Sequence, residues 1–148
     1  MSGKVFIDTN VLVYAYDMDA GIKQRKAEEI LFGLRRGRLG AVSMQVLQEF
    51  YTTVTRKIKV PISKADAREI VEDFAHWCVE TTPTEIKRAF RIEDQARIGF
   101  WDALIVAAAI KSGATRILSE DLNAGQCIAG ITIENPFTTP EAHLSGRK

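Results

Sequence analysis

A chain of 148 residues is long enough to close one hydrophobic core, and a share of 46% hydrophobic and 26% charged residues excludes a disordered or low-complexity chain. The longest apolar run, Ala103 to Ile110, is far too short to cross a bilayer, and two cysteines exclude a disulfide framework or a close-spaced cysteine metal motif. The net charge of +1 does not by itself announce a nucleic-acid binder.

The first apolar run, Val5-Phe6-Ile7, reads as a buried strand, and Asp8 stops it after three residues, so no secretory pattern is expected at this end. Asp8-Thr9-Asn10 then leads into a helix over Val11–Tyr16. The pattern continues as a helix over Lys23–Arg36, a strand over Gly40–Ser43, helices over Gln45–Lys59 and Lys64–Trp77, and a strand over Cys78–Glu80. Helices over Thr84–Arg97 and Trp101–Lys111 and strands over Arg116–Ser119 and Ile131–Ile133 complete it. Pro61, Pro83, Gly99 and Gly113 stand where breakers and stops belong. Strands alternating with helices call for a central parallel sheet of about five strands under helices, an α/β fold. Residues 1–137 are expected to form the domain, and the polar residues 138–148 a flexible tail. Cys78 and Cys127 are expected to be small core residues in a reducing, cytoplasmic setting.

In such a sheet the loops beyond the strands' carboxyl ends form the ligand crevice. Asp8 follows the first strand, Glu49 lies early in the helix after the second, Asp102 opens the helix before Arg116–Ser119, and Asp121 stands two residues after that strand. Each has a plain structural role. Asp8 and Asp102 can cap or charge a helix start, Glu49 falls on the flank of its helix away from the main apolar face, and Asp121 can be a turn residue. Glu120 reads as solvated. Together, four carboxylates on one edge would repel one another, which proteins tolerate chiefly around a cation. Oxygen donors without a Cys or His set favour Mg²⁺ or Mn²⁺. Setting these four of the 19 acidic residues aside leaves 20 basic against 15 acidic residues, with clusters at Arg35-Arg36-Arg38, Arg56-Lys57-Lys59 and Lys87-Arg88-Arg91.

The stretches FIDTN, QEF, FWDALIVAAA and LSEDLNAGQ, followed by GITIENPF, together resemble the PIN-domain family and within it the VapC-like ribonucleases, over essentially Val5 to Phe137. The order and spacing of the motifs carry the resemblance, since none is specific alone. It implies a Rossmann-like α/β/α sandwich and metal-dependent RNA hydrolysis in which the 3′ oxygen leaves, giving a 5′-phosphate and a 3′-hydroxyl. The metal-ligand role would fall on Asp8, Glu49, Asp102 and Asp121, with Thr9, Asn10 and Ser119 orienting carboxylates or water. It further implies a toxin with a cognate antitoxin and a homodimer, for which Phe50 and Tyr51 are candidate contacts beside their expected role in the core.

Two rivals have distinct signatures. A haloacid-dehalogenase-type phosphatase also begins strand-Asp but needs a second acid two residues on, where this chain has Asn10. A non-catalytic RNA- or protein-binding module has no use for a pocket of four acids.

Overall fold

The structure is a computed structural model and describes residues 3–138. Val5, Phe6 and Ile7 are all buried in strand β1 (Lys4–Ile7), as a short apolar run between two sheet neighbours should be. The chain continues through α1 (Thr9–Ala15), α2 (Ile22–Gly37), β2 (Gly40–Ala41), α3 (Met44–Arg56), α4 (Lys64–Phe74) and a 3₁₀ turn (Ala75–Trp77). It ends with α5 (Pro83–Ala96), α6 (Phe100–Ser112), β3 (Ala114–Leu118), β4 (Cys127–Ile128) and β5 (Ile131–Glu134). The five strands form one sheet in the order β2-β1-β3-β5-β4, parallel throughout except for β4 against β5.

Local chemistry explains the boundaries. Ser43 and Ser63 cap α3 and α4 by accepting the N–H of Val46 and Asp66. Thr82 and Glu85 form a reciprocal capping box with Pro83 in the first turn of α5. Gly113, at φ 84°, closes α6 in the left-handed conformation that glycine adopts without strain. Helix α6 is apolar on nearly every face because it is the buried one, with Ala103, Ile105, Val106, Ala107, Ala108 and Ala109 all in the core.

Several expectations need correction. Cys78–Glu80 is no strand of its own: Cys78 makes a single parallel bridge to Val42, and the chain reaches the Thr82 cap four residues later. The fifth strand is instead β4, an antiparallel edge too short for its periodicity to be read. Its outward-facing Cys127 is exposed and so is no core residue, whereas Cys78 is half-buried and packs against the margin of the core. The helix expected over Lys64–Trp77 tightens into the 3₁₀ turn, which lays the Trp77 indole on Gly40; a Cβ there would stand 2.2 Å from the ring. Phe50 is fully buried and edge-on to Tyr16, which removes it as a dimer contact. The expected tail lies outside the described residues apart from Thr138. Among the described residues, no helix is long and apolar enough to cross a membrane.

Candidate metal centre

The sheet order makes the site. From β1 the chain moves out to β2, then returns past β1 to β3, so the loops leaving the carboxyl ends of β1 and β3 diverge between neighbouring strands. A crevice opens at such a reversal. Asp8 leaves β1 at this point and Ser119 leaves β3 beside it, joined by the Asp8 N–H donating to Leu118 O at 3.0 Å.

Asp8 is 8% exposed and caps α1, its Oδ1 accepting the Thr9 N–H at 2.8 Å. Its Oδ2 accepts from the Ser119 hydroxyl at 2.7 Å. Ser119 is fully buried, and its Oγ also accepts the N–H groups of Asp121 (3.1 Å) and Leu122 (3.2 Å), folding the loop after β3 around one hydroxyl. Asn10 clamps the same loop from α1: its Oδ1 accepts the Glu120 N–H at 3.0 Å and its Nδ2 donates to Asp121 Oδ2 at 3.1 Å. The position where a phosphatase of the haloacid-dehalogenase type needs an acid is thus occupied by a structural clamp.

Glu49 stands on the exposed flank of α3 and is held toward the crevice by Thr9 Oγ1, which donates to Oε1 at 2.6 Å, and by Gln45 Nε2, which donates to Oε2 at 3.3 Å. Asp102 lies in the first turn of α6 and is exposed. It is not the cap, because Gly99 holds that position without a side-chain bond. Thr9, Asn10 and Ser119 therefore each touch a carboxylate.

The four acids share a field. Burial pushes the Asp8 carboxyl up to about 6, the Ser119 and Thr9 hydrogen bonds pull the other way, and the charges of Asp121 and Glu49 add to the rise. Burial raises Asp102 as well, followed by the charges of Asp121 and Glu49. Among the described residues no Lys or Arg pairs with any of the four, the ion pairs being Lys23–Glu120, Lys59–Asp19 and Arg116–Glu134. The cluster is uncompensated negative charge, but an open one: among the described residues, no three His, Cys, Asp or Glu side chains gather tightly enough to hold a metal ion as they stand.

Glu120 is not the solvated residue its sequence suggests. Its carboxylate turns away from Asp121, accepts the Tyr14 hydroxyl at 2.6 Å and pairs with Lys23 of α2. The Lys23 ammonium also lies over the rings of Tyr14 and Phe137, at 5.0 and 5.6 Å from their centroids. Asn10 and Tyr14 are one helical turn apart, so one face of α1 grips the loop at two points. That i, i+4 spacing was the available sequence signal for Tyr14; Lys23 and Gln45 had none.

The PIN domain family model matches residues 5–126. No curated protein sequence matches the chain. Among solved structures it is similar to a toxin–antitoxin complex from Klebsiella pneumoniae (15% identity, 90% of this chain and 98% of that one, TM-score 0.66). It is also similar to DNA-bound VapBC from Salmonella typhimurium (18% identity, 90% and 98%, TM-score 0.60). A third is VapC20 of Mycobacterium tuberculosis, a sarcin–ricin loop cleaving toxin (17% identity, 80% and 90%, TM-score 0.58). At these identities the structural likeness speaks for the fold, and the family match over most of the sequence joins it to the motifs that place four acids on one sheet edge: the chain belongs to the PIN domain family.

Proposed function

We propose that this protein is a divalent-metal-dependent ribonuclease, a VapC-like toxin acting in the cytoplasm and held in check by a cognate antitoxin. The observation that carries the reading is the uncompensated carboxylate set at the β1–β3 crevice, with three hydroxyl or amide side chains spent on orienting it. A protein that only bound a polyanion would be hindered by that field. The toxin role is further supported by the toxin–antitoxin structures it resembles.

The donors fit a hard cation. All are oxygens, and Mg²⁺ keeps most of its waters while taking one or two carboxylates directly, so an open cluster suffices. Asp8, Asp102, Glu49 and Asp121 would hold Mg²⁺ or Mn²⁺, which supplies acidification of water and neutralisation of charge on phosphate oxygens. The chain's own residues set this up. Ser119 and the Thr9 N–H fix both oxygens of Asp8, Thr9 and Gln45 aim Glu49, and Asn10 holds one oxygen of Asp121 while the Ser119 hydroxyl holds its backbone. The dipole at the start of α6 favours an ionised Asp102.

The test is cleavage of single-stranded RNA with Mn²⁺ or with chelator, by the parent and by Asp8→Asn. Cleavage should require metal and be lost in the variant, with the circular-dichroism spectrum unchanged. Metal-independent cleavage, or full activity in a folded Asp8→Asn protein, would overturn the assignment.

A further inference from the structure

Beside the carboxylates lies a groove of about 360 Å³ between the first turns of α3, α5 and α6, bordered by Met44, Gln45, Gln48, Thr82, Ile86 and Trp101. Its size suits a small planar ligand. Trp101 is 65% exposed, unusual for the largest apolar side chain, and its indole is braced edge-on by Phe100 at 5.2 Å. It directly precedes Asp102, so the aromatic surface and a proposed metal ligand belong to the same helical turn.

Gln45 supplies the second, independent feature. Glu49 can only accept, so the hydrogen bond to it fixes the Gln45 amide with its NH₂ toward the carboxylate. The Gln45 oxygen is then buried without any hydrogen-bond partner, one of only two such side-chain atoms among the described residues. A buried acceptor left unpaired is costly and calls for a donor. The groove wall adds no free negative charge, because the Glu85 carboxylate on it is tied to the Thr82 N–H at 2.8 Å.

We infer that this groove is a nucleobase subsite, with Trp101 as the stacking platform and Gln45 as an acceptor for a base amino or imino group. The inference rests on the ribonuclease reading and deepens it: the substrate is single-stranded RNA whose unstacked base beside the scissile phosphate lies on the indole. Single-stranded RNA is recognised in this way, by stacking on aromatic side chains and bonds to exposed base edges. Trp101 acts in binding and positioning, not in the chemistry.

The test has two independent readouts. In steady-state cleavage, Trp101→Leu should raise KM about tenfold, within the range stacking of one base supplies, with kcat within twofold. Trp101→Phe should stay near the parent. In stopped-flow mixing with a six-nucleotide RNA in Mg²⁺, tryptophan fluorescence should be quenched in the parent but not in Trp101→Phe, and not by the same sugar–phosphate backbone without bases. An unchanged KM in Trp101→Leu, or equal quenching by the abasic strand, would overturn the inference. So would a Trp101→Leu variant that dissociates into monomers with KM unaltered, since the indole would then belong to a contact between copies. A parent that cleaves no RNA would defeat the ribonuclease reading instead, and the quenching experiment alone would then decide the subsite.

Discussion

Replacing Asp8 by asparagine should make the metal-free protein more stable at neutral pH, although it removes a side chain central to the site. In the folded state the Asp8 carboxyl titrates at about 6, against 3.8 for an ordinary aspartate. A raised folded value means that the folded state favours the neutral acid. Stability from this group is therefore fully present below pH 3.8 and is lost as pH climbs through about 6. The difference corresponds to about 3 kcal/mol of destabilisation at pH 7.5. Asparagine has no charge to desolvate, and its oxygen can keep the Thr9 bond. Its amide would face the Ser119 oxygen, which already accepts from Asp121 and Leu122, so one hydrogen bond worth about 1 kcal/mol is lost. The net gain is about 2 kcal/mol, or roughly 4–8 °C in Tm for a domain of this size. The assay is a thermal melt of parent and variant in chelator from pH 4 to 7.5. The gain should shrink steadily, cross zero at about pH 4.5 and reverse slightly by pH 4, where Asp8 is already neutral in the folded parent and only the lost hydrogen bond remains. A difference in Tm that ignores pH, or a variant that melts lower than the parent at pH 7.5, would refute the argument that buried charge dominates at this position.

Asp102→Asn should follow the same sign with a smaller rise, because Asp102 is exposed and its repulsion is screened; the same melts at pH 7.5 measure it. Millimolar Mn²⁺ should reverse the order, stabilising the parent by about 2.7 kcal/mol at one hundred times its dissociation constant and Asp8→Asn much less; equal shifts in the two proteins would count against Asp8 as a ligand. Glu120→Ala should weaken Mn²⁺ binding about tenfold by calorimetry, since groups that orient metal ligands commonly carry this much, and Glu120→Gln, which can keep the Tyr14 bond, should lose less. Identical Mn²⁺ affinities would show that the Tyr14–Lys23–Glu120 cluster only docks α2. Gly40→Ala should cost about 2 kcal/mol or more by driving a Cβ into the Trp77 ring, visible as a lowered denaturation midpoint; a neutral effect would mean that the 3₁₀ turn gives way easily.

The sequence by itself determined the α/β class, four of the five strands, the six helices and the places of the four acids along the chain, because each rests on a signal of short range. An apolar run ending at a carboxylate, a Ser or Thr before a helical stripe, and an all-apolar helix with one acid in its first turn are all legible within about ten residues. The tertiary structure decided what range cannot show. Which edge strand completes the sheet was settled by pairing: β4 has two residues and is defined only by its partner β5, whereas Cys78 found a single bridge to Val42. The sequence already favours Asp121 over its neighbour Glu120, but the partners of Glu120 were settled by Tyr14 and Lys23, more than ninety residues away, which hold a carboxylate that reads as solvated. The protonation of Asp8 likewise belongs to the fold, since desolvation depends on what the whole chain packs around a carboxylate. Residue types and their spacing nominate a charge cluster; only the packed sheet edge decides which charges meet and how far each is pushed from its value in water.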